Sequence, residues 1–300
     1  MKPAAFDYVA PATLDEALDA LAAYGDGAEF IAGGQSLGPL LNFRLSAPEV
    51  LIDLNGVGSL DGITETNGSV TIGAMTRQSE AERSQVVARR LPLVAQALPF
   101  VGHRTIRNRG TIGGSIAHAD PSAELPAVAV ALDADLNVVG ARRRGLFGGR
   151  VSRMVKASEF FVTAFATTLA SDEILASVSF PAAGPRAGFS WVEIARRHGD
   201  FALVSAAACL ELAEDGTCAI ARLAYAGVGA VPKVAEEAAA GLVGQAGEAA
   251  FARAADTASR EIDPGSDVQA SADLRRHLVG VLTRRALRTA HGNVTEPRDG

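Results

Sequence analysis

The chain reads as an α+β protein of two domains, and three observations predict it. Helical and β-prone segments alternate through the first 180 residues without the GxGxxG turn of a doubly wound dinucleotide fold. Two glycine-rich segments in that half, Ala32-Gly33-Gly34-Gln35-Ser36 and Thr111-Ile112-Gly113-Gly114-Ser115, each follow a β-prone run. A stretch rich in Pro, Gly and Ala, Pro181 to Gly188, then separates this half from three strand-like segments and three helices. The expected domains are 1–180, divided into about 1–56 and 57–180, and 181–300. At 300 residues the chain can bury a sizeable core without disulfides.

Each element has a local reason. Thr13-Leu14-Asp15-Glu16 has the form of a capping box, and Leu14, Ala17, Leu18 and Leu21 fall at helical spacing before Gly25, which predicts a helix over 13–24. Ala28 to Ala32 reads as a short buried strand delivering the first glycine segment, followed by an apolar helix around Leu37 to Leu45 and a strand from Val50 to Leu54. Asn67-Gly68 is a hairpin signal between strands near Leu60 to Ile63 and Ser69 to Ala74. Helices are expected at Arg77 to Arg83 and Leu91 to Val101, with the second glycine segment as a loop leading to a helix near Ser122 to Leu132. Strands near Leu136 to Ala141 and Arg150 to Lys156, a helical Ala157 to Val162 and a strand Glu173 to Phe180 complete the first domain. Beyond the break, Phe189 to Ala195, Leu203 to Leu212 and Thr217 to Tyr225 predict a three-stranded antiparallel sheet, covered by helices at about 233–242, 247–261 and 271–290.

Composition excludes several function classes. A net charge of -6 and a pI near 5.5 argue against a general nucleic-acid surface. The one basic run, Arg142-Arg143-Arg144, reads as a solvated hairpin tip or a contact for an acidic partner. Cys209 and Cys218 match neither a CxxC motif nor an iron-sulfur frame and read as buried thiols. The opening MKPAAFDYVAP has no signal-like apolar core and no run approaches a membrane span, so a cytoplasmic location is expected, unless a partner carries an export signal.

The glycine segments suit an anionic ligand. Glycine lets backbone approach closely and take φ > 0, so that successive N–H groups converge on phosphate oxygens. A single Gly-Gly-polar run also closes ordinary turns, so the pair carries the argument. Each charge-assisted hydrogen bond to a diphosphate contributes roughly 1.5–3 kcal/mol. Gly33, Gly34, Gln35, Ser36 and Leu37 are expected to donate from one side and Gly113, Gly114 and Ser115 from the other, with hydroxyls from Ser36 and Thr111. Asp120 and Glu124 follow; an acidic side chain there can accept from ribose hydroxyls or an adenine amino group, or can serve as a first-turn carboxylate of a helix. Arg104, Arg107 and Arg109 either neutralise phosphate or sit at the surface, and His103 and His118 read as structural. No GxSxG, HExxH or nucleophile–base pairing stands out.

Around these segments the chain reads FIAGGQSLGPLLNFRL from Phe30 and IRNRGTIGGSIAHADPSAELP from Ile106, and in both it closely resembles the FAD-binding medium subunits of molybdenum hydroxylases, the xanthine dehydrogenase and carbon monoxide dehydrogenase type. The resemblance runs from Lys2 to the Arg196-Arg197-His198-Gly199-Asp200-Phe201 stretch and thins beyond it. It implies a two-part FAD-binding domain of the vanillyl-alcohol-oxidase-like (PCMH) type and noncovalent FAD contacted by Ile31, Ala32, Gly33, Gly34, Gln35, Ser36, Leu37, Thr111, Ile112, Gly113, Gly114, Ser115, Asp120 and Glu124. It further implies a 2Fe-2S small subunit and a large subunit with a molybdenum cofactor as partners, and a small-molecule electron acceptor. No catalytic residue or metal ligand is expected on this chain, since the cofactor carries the redox chemistry. The rival readings are a free-standing FAD-dependent oxidase or reductase of the same fold, and a nucleotide-binding regulatory module.

Overall fold

A computed structural model of the chain describes residues 2–142 and 149–295. Arg143 and Arg144, the tip of the basic run, lie outside the described residues. The first unit comprises strand β1 (Asp7–Val9), helix α1 (Leu14–Tyr24), β2 (Ala28–Ile31), α2 (Leu37–Phe43) and β3 (Val50–Asp53). The strands form a parallel sheet in the order β1-β3-β2, with Val9 and Phe30 both opposite Ile52. Thr13 caps α1 by accepting from Glu16 N at 3.2 Å, and Glu16 reaches back to Ala12 N at 2.8 Å, so the capping box closes one residue early. Ala17, Leu18 and Leu21 then face Val50, Ile52 and Leu54 in a small core.

The second unit runs through β4 (Ile63–Thr66), β5 (Ser69–Gly73), α3 (Gln78–Arg83), α4 (Gln85–Arg90), α5 (Pro92–Ala97), α6 (Arg104–Arg107), α7 (Ile112–His118), α8 (Glu124–Ala131), β6 (Asp135–Arg142), β7 (Arg150–Lys156), α9 (Ala157–Phe160), β8 (Phe161–Thr163), β9 (Ala166–Thr167) and β10 (Ile174–Pro181). Its five-stranded sheet, β4-β5-β10-β6-β7, is antiparallel throughout. Gly68 holds the β4–β5 turn at φ +86°, as Asn67-Gly68 predicts. The single helix expected from Leu91 to Val101 ends as α5, because Pro99 forces a 3₁₀ turn over Leu98–Phe100. All eight residues of α8 are buried, so it is the central rod of the molecule.

The third unit has β11 (Ala187–Ala195), β12 (Ala202–Leu212), β13 (Cys218–Ala226), β14 (Lys233–Val234), α10 (Glu236–Ala240), α11 (Gly247–Glu261) and α12 (Ala272–Thr295). The three long antiparallel strands are those the sequence predicts, and the two-residue β14 extends the sheet at its β13 edge. β12 is covered on both faces. Val204, Ala206, Ala208 and Leu210 belong to the core beneath α11 and α12, while Ala207 and Cys209 join the core containing α8. This explains its nearly unbroken apolar run. At the other edge, the Gln96 side chain of α5 accepts from Trp191 N at 3.0 Å and donates to Phe189 O at 3.2 Å, and Asn293 of α12 donates to the same oxygen at 2.9 Å. Cys209 and Cys218 are buried free thiols, with burial pushing the Cys209 thiol up to about 12. Among the described residues, no helix is long and apolar enough to cross a membrane.

Candidate functional site

A cleft of about 520 Å³ opens where the three units meet, and both glycine segments line it. They touch directly. A Cβ at Gly33 would lie 2.3 Å from Arg109 O and 2.7 Å from Gly110 Cα, so the backbones meet at a distance only glycine permits. Gly34 takes φ +69° over the Ile31 side chain, which supports the turn from below and does not face the cleft. Among the described residues, the N–H groups of Gly33, Gly34, Gln35, Ser36 and Leu37 have no protein acceptor. The Ser36 side chain makes no capping bond to α2. Five consecutive unpaired donors beside a cleft call for an acceptor from elsewhere.

The second segment is built differently from the loop the sequence predicts. Thr111 is the N-cap of α7: its Oγ1 accepts from Gly114 N at 3.0 Å, and Ser115 N bonds to Thr111 O at 3.2 Å. Gly113 N is taken by Ala74 O and Ile112 N by Thr76 O. The main-chain donors expected from Gly113, Gly114 and Ser115 are therefore spent inside the protein, because a cap and a helical turn satisfy them locally. What the segment offers the cleft is small size and the hydroxyls of Thr111 and Ser115. A Cβ on Gly113 would strike Ala74, and one on Gly114 would meet Thr111 Oγ1 at 2.6 Å, so these glycines serve close packing without positive φ. Ile112 is fully buried in the core and anchors the helix from behind.

Asp120 and Glu124 line the same cleft. Asp120 accepts from Ser122 N at 2.8 Å, and burial raises its carboxyl above the usual range. Glu124 is 3 % exposed at the start of α8, and burial pushes it up to about 7. Glu193 on β11 is pushed up to about 8, first by burial and then by the charge of Glu124. Of the three arginines, Arg107 is committed elsewhere: it pairs with Glu82 through two bonds of 2.9 and 3.0 Å and donates to Val101 O. Arg104 and Arg109 are exposed. His118 packs on Phe165, and Gly199 lies against His103, which brings Asp200 and Phe201 to the cleft. The sequence did not single out Met75, Gln78, Phe165 or Leu169, which complete the walls from elements distant in the chain. None carries a local signature.

Residues 4–183 match the family model of the FAD binding domain in molybdopterin dehydrogenase, and residues 189–290 match the CO dehydrogenase flavoprotein C-terminal domain. The chain is 38% identical to the 6-hydroxypseudooxynicotine dehydrogenase complex subunit alpha of Paenarthrobacter nicotinovorans, over 97% of this chain and 96% of that one. It superposes with a TM-score of 0.90 and 35% identity on a chain of carbon monoxide dehydrogenase from Hydrogenophaga pseudoflava, covering 98% of this chain and 99% of the other. A chain of quinoline 2-oxidoreductase from Pseudomonas putida 86 gives 0.89 and 38%, covering 98% and 100%. A cleft lined by both glycine segments, a matching fold and these full-length likenesses agree: the chain belongs to the FAD-binding medium subunits of the CO dehydrogenase and xanthine dehydrogenase type of molybdenum hydroxylases, oxidoreductase components whose molybdenum and iron-sulfur centres sit on other subunits.

Proposed function

We propose that FAD is held noncovalently in this cleft with its diphosphate against the Gly33–Leu37 backbone, and that the chain is the electron-exit subunit of its complex. The observation that carries the reading is the row of five unpaired N–H groups on a turn pressed against Gly110. These donors, with the hydroxyls of Ser36, Thr111 and Ser115, match the several acceptor oxygens and negative charge of a diphosphate. Ala32 adds contact beside Gly114, while Ile31 and Ile112 hold the two segments in place. Asp120 and Glu124 are the acceptors for hydroxyl or amino groups of the nucleotide. When bound, FAD supplies the redox chemistry, taking electrons relayed from the iron-sulfur clusters of a small subunit and giving them to a small-molecule acceptor. The chain's own residues bind, orient and shield. The same reading divides the chain at about residue 180 into a FAD-binding domain and a C-terminal domain, and places the assembled complex in the cytoplasm. Acid precipitation of the purified chain or complex, followed by chromatography, tests the cofactor assignment. Release of FAD is expected; a folded protein that yields only FMN, or repeatedly no flavin, overturns it.

A further inference from the structure

Two residues other than glycine hold left-handed backbone beside the cleft, one of them on its wall, and they are bonded to each other. Ala119, the C-cap of α7, has φ 53°, and Phe165, in the two-residue turn between β8 and β9, has φ 60°. Phe165 N donates to Ala119 O at 3.0 Å. Glycine or asparagine fills such a turn position with little steric cost, whereas a phenylalanine there is strained. Nor is the ring compensated by burial: it is 60% exposed, with the His118 ring 5.2 Å away at 50°. Both rings line the cleft. Strained backbone that presents an apolar ring to solvent disfavours the free chain on both counts, so its benefit belongs to a state with something placed on that ring.

We propose that Phe165, backed by His118, is a stacking surface for one of the two flat ring systems of FAD, the isoalloxazine or the adenine. The inference rests on the reading that FAD occupies this cleft. A phenyl face offers a heteroaromatic ring dispersion and offset stacking without demanding hydrogen bonds. The shared left-handed pair fixes the ring's direction: the bond to Ala119 ties the turn to α7, the element that carries the second glycine segment. Phe165 is thus a positioning residue that holds one end of the ligand while the Gly33–Leu37 turn holds its middle.

The test titrates the full-length, flavin-depleted chain with FAD and with FMN, following flavin fluorescence, and melts each variant without flavin. Phe165→Leu is expected to weaken FAD binding about tenfold, and Phe165→Tyr to restore it to within about twofold. Phe165→Gly relieves the backbone strain, so its flavin-free melting temperature stays level or rises while FAD binding falls; a merely structural phenylalanine would not separate the two. If adenine is the ring, Phe165→Leu weakens FAD and leaves FMN unchanged; if isoalloxazine, both weaken by the same factor. Either pattern supports the inference. Wild-type affinity for both flavins in the Leu and Gly variants overturns it, leaving the ring to a partner subunit. A wild-type chain that takes up no flavin overturns the cleft reading and this inference together.

Discussion

At the scale of single residues, two glycines a few positions apart have opposite expected sensitivities. A methyl group on Gly33 would be driven into the Arg109 carbonyl at 2.3 Å, whereas one on Gly38, in α2, meets nothing within 4 Å. Gly33→Ala is therefore expected to part the two segments and reduce flavin content at least tenfold, read from the ratio of flavin to protein absorbance. Gly38→Ala should retain full flavin and gain up to about 1 kcal/mol of stability from helix propensity. Equal flavin loss in both would show that close approach at Gly33 is not what matters. Glu124 gives a pH dependence. Its folded pKa of about 7 lies above the ordinary glutamate value of 4.5, so the folded chain binds more protons than the unfolded one between those values. The contribution is full below about pH 4.5 and is lost as pH rises through 7, on the order of 3 kcal/mol at most. Glu193, raised to about 8, extends the loss to higher pH. Melting of the flavin-free chain from pH 5 to 8.5 should show this decline, and Glu124→Gln should flatten it; an unchanged slope in the variant refutes the assignment. The resemblance implies a nucleotide contact for Glu124, but only the fold shows that β11 brings a second carboxylate, Glu193, close enough to act on it.

Among the elements, α7 best shows what the sequence conveyed and what it withheld. Thr111 followed by two glycines reads as a phosphate loop, since glycine disfavours helix. In the protein the threonine caps a seven-residue helix, because Ala74 and Thr76 anchor its first turn and glycine alone fits against Ala74. Tertiary contact here overrides propensity. Thr111→Val keeps the shape but leaves Gly114 N without its acceptor, which costs about 1 kcal/mol. That should lower the melting temperature by about 2–4 °C in a chain of this size, while Thr111→Ser stays near wild type. No shift in the valine variant would argue that the cap is dispensable. The long strands β5, β6, β7, β10, β11, β12 and β13 were legible from their β-prone or, in β12, nearly unbroken apolar composition, and the helix α1 from its capping box. β1, β8, β9 and β14 were not: each has two or three residues and exists only through its pairing partner. The glycine segments that line the cleft were readable as local runs, though the second was read as a loop, and the Met75, Gln78 and Phe165 walls were not readable.

For the molecule as a whole, the chain carries two cysteines, both buried and free, and so offers no cysteine frame for an iron-sulfur cluster. Tagged protein expressed in its native host is expected to bring down a small iron-sulfur subunit and a large molybdenum subunit. Efficient substrate turnover by the lone chain would instead favour a free-standing flavoenzyme. A chain made to assemble with others must also avoid assembling with itself, and the amides of Gln96 and Asn293 bear on this. β11 is the outermost strand of its sheet, and such a strand offers unpaired backbone to any neighbouring strand. Gln96 satisfies Trp191 N and Phe189 O much as a neighbouring strand would, and Asn293 takes the second lone pair of the same oxygen. Two side chains thus act as a blunt end to the sheet. Gln96→Ala should leave Trp191 N and one lone pair of Phe189 O open to strand addition and raise light scattering on concentration and mild heating, with flavin content unaltered.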